Sequence, residues 1–230
     1  MLGKDERDEL LSRVRAEFSG YREFAGGKNY RYHHLVSVNR YVRKLMKKDE
    51  ISQLEPDERV VEVAALFHDI GRKEDIENGF LHPMKAHEGH DETGRKIVSD
   101  YVEDFLEKDQ VEKVRRVVGN HHSPAETVEG KIVQDADKLV KFGPMDLWRM
   151  AHYSAEEERE ITEMFEYFWK NARKNHTDEM EKLHFDISKL VARQRMTHYQ
   201  EIMKKMEEEY MGRISSLFPT CLAEEHGLYS

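Results

Sequence analysis

Residues 60–71 read VVEVAALFHDIG, an almost unbroken apolar run that closes on a histidine, an aspartate and a glycine. Pro56 precedes the run and is favoured in the first turn of a helix, while Gly71 is typical of a helix end. A helix that is apolar on nearly every face lies at the centre of a bundle. The sequence therefore predicts a buried central helix that carries His68 and Asp69 at its inner end.

Amphipathic helices are predicted on both sides of this central helix, because apolar residues recur there every three or four positions. These segments are 30–46, about 90–107 and 110–121. His34 lies on the apolar stripe of the first. Further helices are predicted to begin at Ser123 and Ser154, each with a capping box, and the last long helix at Thr177. No strand pattern and no repeat stands out, so the predicted fold is all-α.

Composition restricts the classes of protein that fit. The 230 residues include 37 basic and 46 acidic side chains, a net charge of −9 that argues against general nucleic-acid binding. The only cysteine is Cys221, which excludes a disulfide framework within the chain and a cysteine metal cluster. The polar N-terminus does not resemble a signal peptide, and the longest apolar run is too short to span a membrane. We therefore expect a cytoplasmic protein that has no membrane partner.

Side chains that bind metals recur at the ends or on the apolar faces of these helices. They are His34, His68, Asp69, His90 or His87, the pair His121 and His122, and Asp137. A carboxylate buried at the end of an apolar helix needs a cationic partner, because an isolated buried charge costs several kcal/mol. Imidazoles together with carboxylates favour a divalent transition metal, namely Mn, Fe, Co, Ni or Zn, over Mg, which prefers oxygen ligands.

The order of these residues resembles the HD superfamily of metal-dependent phosphohydrolases. Segments 64–71 and 135–139, the latter reading DADKL, look like the two best motifs of that family, and the resemblance covers about residues 28–142. It implies that one metal is held by His34, His68, Asp69 and Asp137. Asp135 is the alternative to Asp137 as the last ligand.

The resemblance also implies the architecture. A single domain, 1–230, is expected to contain an HD core at about 28–142, a helical extension at about 144–212 and a tail at 213–230. Residues 184–209 are more loosely similar to the C-terminal helices of a branch that includes nucleotide pyrophosphohydrolase-like proteins. The apolar stripe of the last helix is open to two interpretations, packing on the same chain or homodimer formation.

A second metal is one of two interpretations of the remaining histidines. In dinuclear members of the family the order is His, His-Asp, His, His, Asp, and here His90 and His121 take the two middle places, with Asp69 as the bridging ligand. Alternatively, His90 and His121 line a pocket around a single metal. His87 can replace His90, and His122 can replace His121, in either arrangement.

The chemistry that follows is hydrolysis, because a divalent metal lowers the pKa of a bound water and neutralises charge on a phosphate oxygen. The predicted catalytic residues are Asp69, His90, His121 and Lys73. Arg72, Lys73 and Lys138 are candidates for holding phosphate oxygens. The expected substrate is a nucleotide or a related small phosphate compound. The alternatives are a di-iron oxygenase of HD type and a non-catalytic module that senses a nucleotide.

Overall fold

The computed structural model describes residues 1–77 and 89–213. The fold is all-α, as the sequence predicts. The helices are α1 (Lys4–Phe18), α2 (Tyr30–Leu45), α3 (Asp49–Ser52), α4 (Glu58–Phe67), α5 (Arg72–Glu77), α6 (His90–Ile97), α7 (Ser99–Val102), α8 (Lys108–Gly119), α9 (Val128–Leu139), α10 (Asp146–Glu156), α11 (Ile161–Tyr167), α12 (Arg173–Glu181) and α13 (Asp186–Tyr210). A π-helical turn, Phe168–Ala172, joins α11 to α12.

A short antiparallel ladder is the one departure from this class among the described residues. Strands β1 (Arg22–Glu23) and β2 (Gly27–Lys28) pair over two residues each. The sequence analysis found no strand because two residues are too few to show the alternation of a half-buried strand. The hairpin lies just before α2, which carries His34.

The predicted central helix is α4. Every residue from Val60 to Phe67 is buried, and α2, α8 and α9 pack around it. Asp57 caps its first turn by accepting a hydrogen bond from the backbone N–H of Val60 at 3.3 Å. Because the three neighbouring helices meet at the end of α4, the functional side chains that they carry converge there.

Gly71 allows a further helix to reach this point. A Cβ atom at Gly71 would lie 1.8 Å from the carbonyl oxygen of His90, a separation that atoms cannot adopt. Only glycine therefore permits α6 to approach so closely. This contact places His90, the first residue of α6, next to the end of α4.

Three predicted helix starts are wrong. The helix after His122 begins at Val128 rather than after Ser123, and Thr127 caps it by accepting a hydrogen bond from the N–H of Gly130. Ser154 lies inside α10, and Thr177 lies inside α12. Short capping patterns also occur by chance within helices and loops, so tertiary packing decides which of them begins a helix.

The last long helix begins at Asp186, and its cap comes from a distant part of the chain. The Glu50 carboxylate of α3 accepts hydrogen bonds from the backbone N–H groups of Asp186 at 2.8 Å and Ile187 at 3.0 Å. A carboxylate at the N-terminus of a helix satisfies free donors and complements the helix dipole. No local pattern reveals a cap 136 residues away in sequence.

The extension after the core helices packs on α9 through α13. Arg195 of α13 donates a hydrogen bond to the carbonyl oxygen of Leu139 at 3.0 Å. Among the helices in the described ranges, none combines the length and apolar character needed to cross a membrane. His87, Cys221 and all of the expected tail except Arg213 lie outside the described residues.

Candidate metal centre

The predicted ligands converge at the inner end of α4. His34 comes from α2, His68 and Asp69 follow α4, and His90 begins α6. His121 and His122 follow α8, while Asp137 comes from α9. His34, His68, Asp69, His90 and His121 are all buried.

The two oxygens of the Asp69 carboxylate face different pairs of histidines. Oδ2 lies 3.5 Å from Nε2 of His34 and 3.6 Å from Nε2 of His68. Oδ1 lies 3.6 Å from Nε2 of His90 and 3.5 Å from Nε2 of His121. Asp69 is therefore shared between two groups of imidazoles.

The first group contains Asp137 as well. Its Oδ1 lies 3.1 Å from Nε2 of His34 and 3.7 Å from Nε2 of His68. Ligand atoms of His34, His68 and Asp69 all lie within 4.8 Å of one another, close enough to bind one ion. The structure thus brings together the four residues that the family resemblance implies as ligands.

The second group contains both of the adjacent histidines that the sequence left as alternatives. Ligand atoms of Asp69, His90, His121 and His122 also lie within 4.8 Å of one another. The Nε2 atoms of His90 and His122 are 2.9 Å apart. His122 therefore joins His121 in this group instead of replacing it.

Hydrogen bonds to backbone carbonyls orient two of the imidazoles. Nδ1 of His68 lies 3.0 Å from the Ala65 oxygen, and Nδ1 of His121 lies 2.6 Å from the Val118 oxygen. When Nδ1–H donates to a carbonyl, Nε2 carries the lone pair that a metal requires. Nε2 of His121 is buried and has no hydrogen-bond partner among the described residues. The Nε2 lone pair of His121 lies 3.5 Å from Oδ1 of Asp69, and a cation between these two atoms would bind both. These residues therefore fit a metal ion.

Burial and neighbouring charges set the ionisation of the ligands. Burial lowers the pKa of His34 to about 4, so His34 is a neutral ligand near pH 7. His122 is more exposed, and partial desolvation together with the neighbouring His121 and His90 lowers its pKa to about 3. Burial would raise the pKa of Asp69, but the adjacent Arg31 guanidinium holds it well below its usual range. Lys141 does the same for the pKa of Asp137, whose side chain is mostly buried. Burial would lower the pKa of His68, but the adjacent Asp69 and Asp137 carboxylates raise it. The site thus presents ionised carboxylates, the form that binds divalent transition metals, with His34 as a neutral imidazole beside them.

Arg31 is a residue of the site that the sequence analysis missed. Its buried guanidinium forms ion pairs with Asp69 and, at 2.8 Å, with Glu23 of β1. Arg31 lies three residues before His34, on the same face of α2. The three-residue spacing from His34 could have indicated that Arg31 faces the site, but only the fold shows that the Asp69 carboxylate lies opposite Arg31.

The sequence predicted Lys73 and Arg72 at the site, but neither side chain lies in the ligand cluster. The Lys73 ammonium lies 2.6 Å from a Glu17 oxygen of α1 and 3.4 Å from the Tyr101 hydroxyl. Arg72 forms an ion pair with Asp75 at 3.0 Å. Helix α5 begins at residue 72, and its direction turns the side chains of Arg72 and Lys73 toward the carboxylates of Asp75 and Glu17.

Asp135 has a structural environment that differs from that of Asp137. Its fully buried carboxylate accepts the backbone N–H of His184 at 2.8 Å and that of Phe185 at 3.1 Å. Asp135 therefore holds the start of α13 against α9. The contacts favour Asp137 as the ligand of the pair.

Known proteins share this fold. Residues 31–141 match the family model of the HD domain. None of the curated proteins matches the chain. Solved structures with a similar fold include an HD-superfamily hydrolase from Bacillus thuringiensis, which is 19% identical and has a TM-score of 0.65, with 91% of this chain and 99% of that chain covered.

Two further structures share the fold. A predicted HD superfamily hydrolase from an uncultured Thermotogales bacterium is 21% identical, with 88% of this chain and 92% of that chain covered and a TM-score of 0.61. YpgQ of Bacillus subtilis, solved in complex with ADP, is 18% identical, with 88% of this chain and 97% of that chain covered and a TM-score of 0.59. At these identities the likeness establishes the fold.

Proposed function

We propose that the protein, whose residues 31–141 match the family model of the HD domain, is a metal-dependent phosphohydrolase of a nucleotide or a related small phosphate compound. The observation that carries the proposal is the position of Asp69, whose two oxygens face two histidine pairs. A carboxylate in this position is suited to bridge two cations.

Two groups of residues would hold the metals. His34, His68, Asp69 and Asp137 would form one position, and His90, His121 and His122 would share Asp69 in the other. Divalent metals at such a site supply an activated water and neutralise charge on the phosphate oxygens. The donor set of imidazoles and carboxylates favours Mn, Fe, Co, Ni or Zn.

The chain supplies cations next to these ligands. Arg31 pairs with Asp69, and Lys141 Nζ lies 3.1 Å from Oδ2 of Asp137. Lys138 follows Asp137 directly and is half-buried. Guanidinium and ammonium groups bind phosphate oxygens by charge-assisted hydrogen bonds. Lys138 therefore stays a candidate for orienting the phosphate groups, and Arg31 and Lys141 replace Arg72 and Lys73.

Hydrolysis adds the oxygen of a water molecule to phosphorus and breaks one P–O bond. The water loses a proton, and the leaving oxygen gains one. Asp69, an ionised carboxylate at the centre of the cluster, is the proposed acceptor, and His90 and His121 are proposed to orient the water or the phosphate. Lys138 is proposed to donate a hydrogen bond to the leaving oxygen.

A nucleotide is the proposed substrate class for two reasons. YpgQ, which shares the fold, was solved in complex with ADP. The DADKL motif and the helices after it also resemble nucleotide pyrophosphohydrolase-like proteins. We also propose this branch, a cytoplasmic location and a homodimer.

Elemental analysis of protein purified with metals present, combined with hydrolysis assays on a panel of nucleotides, tests the proposal. We expect about two metal equivalents per chain and release of phosphate or pyrophosphate. Asp69→Asn should abolish both, whereas the exposed Asp178→Asn should change neither. Bound iron with oxygen consumption and no hydrolysis would favour the oxygenase. Nucleotide binding without turnover would favour the sensing module.

A further inference from the structure

A cavity of about 370 Å³ adjoins the metal cluster and is walled by residues of α9, α10, α11, the π turn and α12. Small-molecule sites usually occupy roughly 300–1,000 Å³. Lys141 lines the cavity and contacts Asp137 at 3.1 Å. Arg149 also lines it, and its guanidinium lies 5.8 Å from the ring of Tyr30, which in turn stacks on His34 at 6.0 Å. The cavity is thus linked to two of the proposed ligands.

Three cations and two carboxylates line the cavity. Of the three cations that line it, Lys141 pairs with Asp137, and Arg149 lies 3.5 Å from Asp146. Lys138 is half-buried, and its ammonium group makes no ion pair or hydrogen bond with any residue in the described ranges. Asp146 and Glu179 also line the cavity, but neither carboxylate pairs with Lys138. A half-buried ammonium group that has no carboxylate partner is suited to bind an anion from solution.

The rest of the cavity is apolar and aromatic. Its wall includes Phe142, Met150, Tyr153, Tyr167 and Ala172. The Arg159 guanidinium lies 4.5 Å from the ring of Tyr153 and 4.4 Å from that of Tyr167, which fixes both rings by cation–π contacts. Asn175, His176 and Glu179 add a few polar groups. A mainly apolar wall with few polar groups is typical of a site for a ring-bearing ligand.

The π-helical turn assembles this wall. Tyr167 and Ala172 are five residues apart, whereas neighbours on one face of an α-helix are three or four apart. The extra residue in the Phe168–Ala172 turn shifts the register, so that Tyr167 shares a wall with Ala172 and His176. Such turns inside helices are frequent at functional sites.

We infer that this cavity binds the nucleoside part of a nucleotide, while Lys138 and Lys141 hold its phosphates beside Asp137. The inference rests on the proposed function and deepens it, because it assigns the substrate class to particular residues of the extension. A phosphate compound without a ring would contact the cations and leave the aromatic wall empty.

Two variants of the wall test the inference by direct binding. Ala172→Leu fills the cavity, and Tyr153→Leu removes a flat ring while keeping apolar bulk. Each should weaken ADP binding, measured by calorimetry, by about tenfold or more. Neither should change metal content or the binding of inorganic tripolyphosphate, which has no ring. Ala151→Leu is the matched control, because Ala151 is an exposed residue of the same helix as Tyr153.

A third variant tests the cationic end. Lys138→Gln should weaken ADP and tripolyphosphate alike, whereas Lys170→Gln, an exposed lysine of the π turn, should weaken neither. If Ala172→Leu does not fold, as judged by its thermal unfolding, Tyr153→Leu decides the test.

The outcomes separate this inference from the proposed function. Wild-type protein that fails to bind ADP, or that binds it equally well with both wall variants, overturns the inference. Hydrolysis of tripolyphosphate would still support the phosphohydrolase in that case. ADP binding that depends on the wall, with no hydrolysis of any phosphate, supports the inference and overturns the proposed function.

Discussion

Oδ1 of Asp69 lies 3.5 Å from Nε2 of His121, whereas the other oxygen of the same carboxylate faces His34 and His68. His121 therefore belongs to a separate ligand group that meets the first only at Asp69. Single substitutions in each group can therefore test how many metals the site binds.

His121→Ala should lower the metal content from about two equivalents per chain to about one, because it removes a ligand from one position only. Elemental analysis after dialysis measures this change. His34→Ala should lower it as well, by weakening the other position. His33→Ala is the control, since His33 is the exposed neighbour of His34 and should keep both metals. An unchanged metal content in His121→Ala would contradict the two-metal arrangement.

Arg31→Met should destabilise the metal-free protein by about 3–5 kcal/mol, because it leaves Asp69 and Glu23 as buried carboxylates without their cation. Urea unfolding measures the loss. Adding Mn²⁺ should reduce it, since the metal neutralises Asp69. Arg22→Met removes an exposed ion pair with Glu156 and should cost about 0–1 kcal/mol. A loss in Arg31→Met that metal leaves unchanged would mean that Asp69 binds no metal.

Asp135→Asn and Asp137→Asn should have opposite consequences. Asp135→Asn weakens the hydrogen bonds to His184 and Phe185 and should cost about 1–3 kcal/mol of stability with metal content unchanged. Asp137→Asn should lose metal. Parallel elemental analysis and urea unfolding distinguish the two variants. If Asp135→Asn loses metal and Asp137→Asn keeps all of it, Asp135 is the metal ligand and Asp137 is not.

Asp57→Ala should cost about 1 kcal/mol or more near pH 7, because Asp57 caps α4 and accepts hydrogen bonds from Gln110. Burial raises the pKa of Asp57, but hydrogen bonds from Gln110 and Val60 and the nearby Lys113 lower it below its usual value overall. A carboxylate whose pKa is lowered by folding stabilises the protein above its unfolded pKa and loses that effect as the pH falls through the folded pKa.

The difference in unfolding free energy between wild type and Asp57→Ala should therefore shrink between pH 7 and about pH 3. Urea unfolding over this range measures it. Asp178→Ala, on the exposed face of α12, should show no such trend. A difference that stays constant would mean that the charge on Asp57 contributes nothing.

Much of the core could be predicted from local sequence patterns. The apolar run at 60–67 predicted α4, and the stripe at 30–46 predicted α2. Both depend on the spacing of apolar residues along one segment, which is visible without the rest of the chain. The ligand order was visible for a similar reason, since each ligand lies at the end or on the inner face of such a helix.

The extension was harder to predict. Its helices begin where distant residues satisfy their free N–H groups, as Glu50 does for α13, so Ser154 and Thr177 were misleading signals. The π turn likewise has no simple signature in the sequence. It follows from how α11 and α12 pack on the rest of the chain.

By itself, the sequence determined the all-α class, the central helix and the order of the ligands, because these depend on residue types and spacing within single segments. Only the tertiary structure decided that the two oxygens of Asp69 face different histidines. It also decided that Arg31 faces Asp69 and that Lys73 faces Glu17. Each of these contacts joins residues that are far apart along the chain, so its energy depends on how the helices pack against one another.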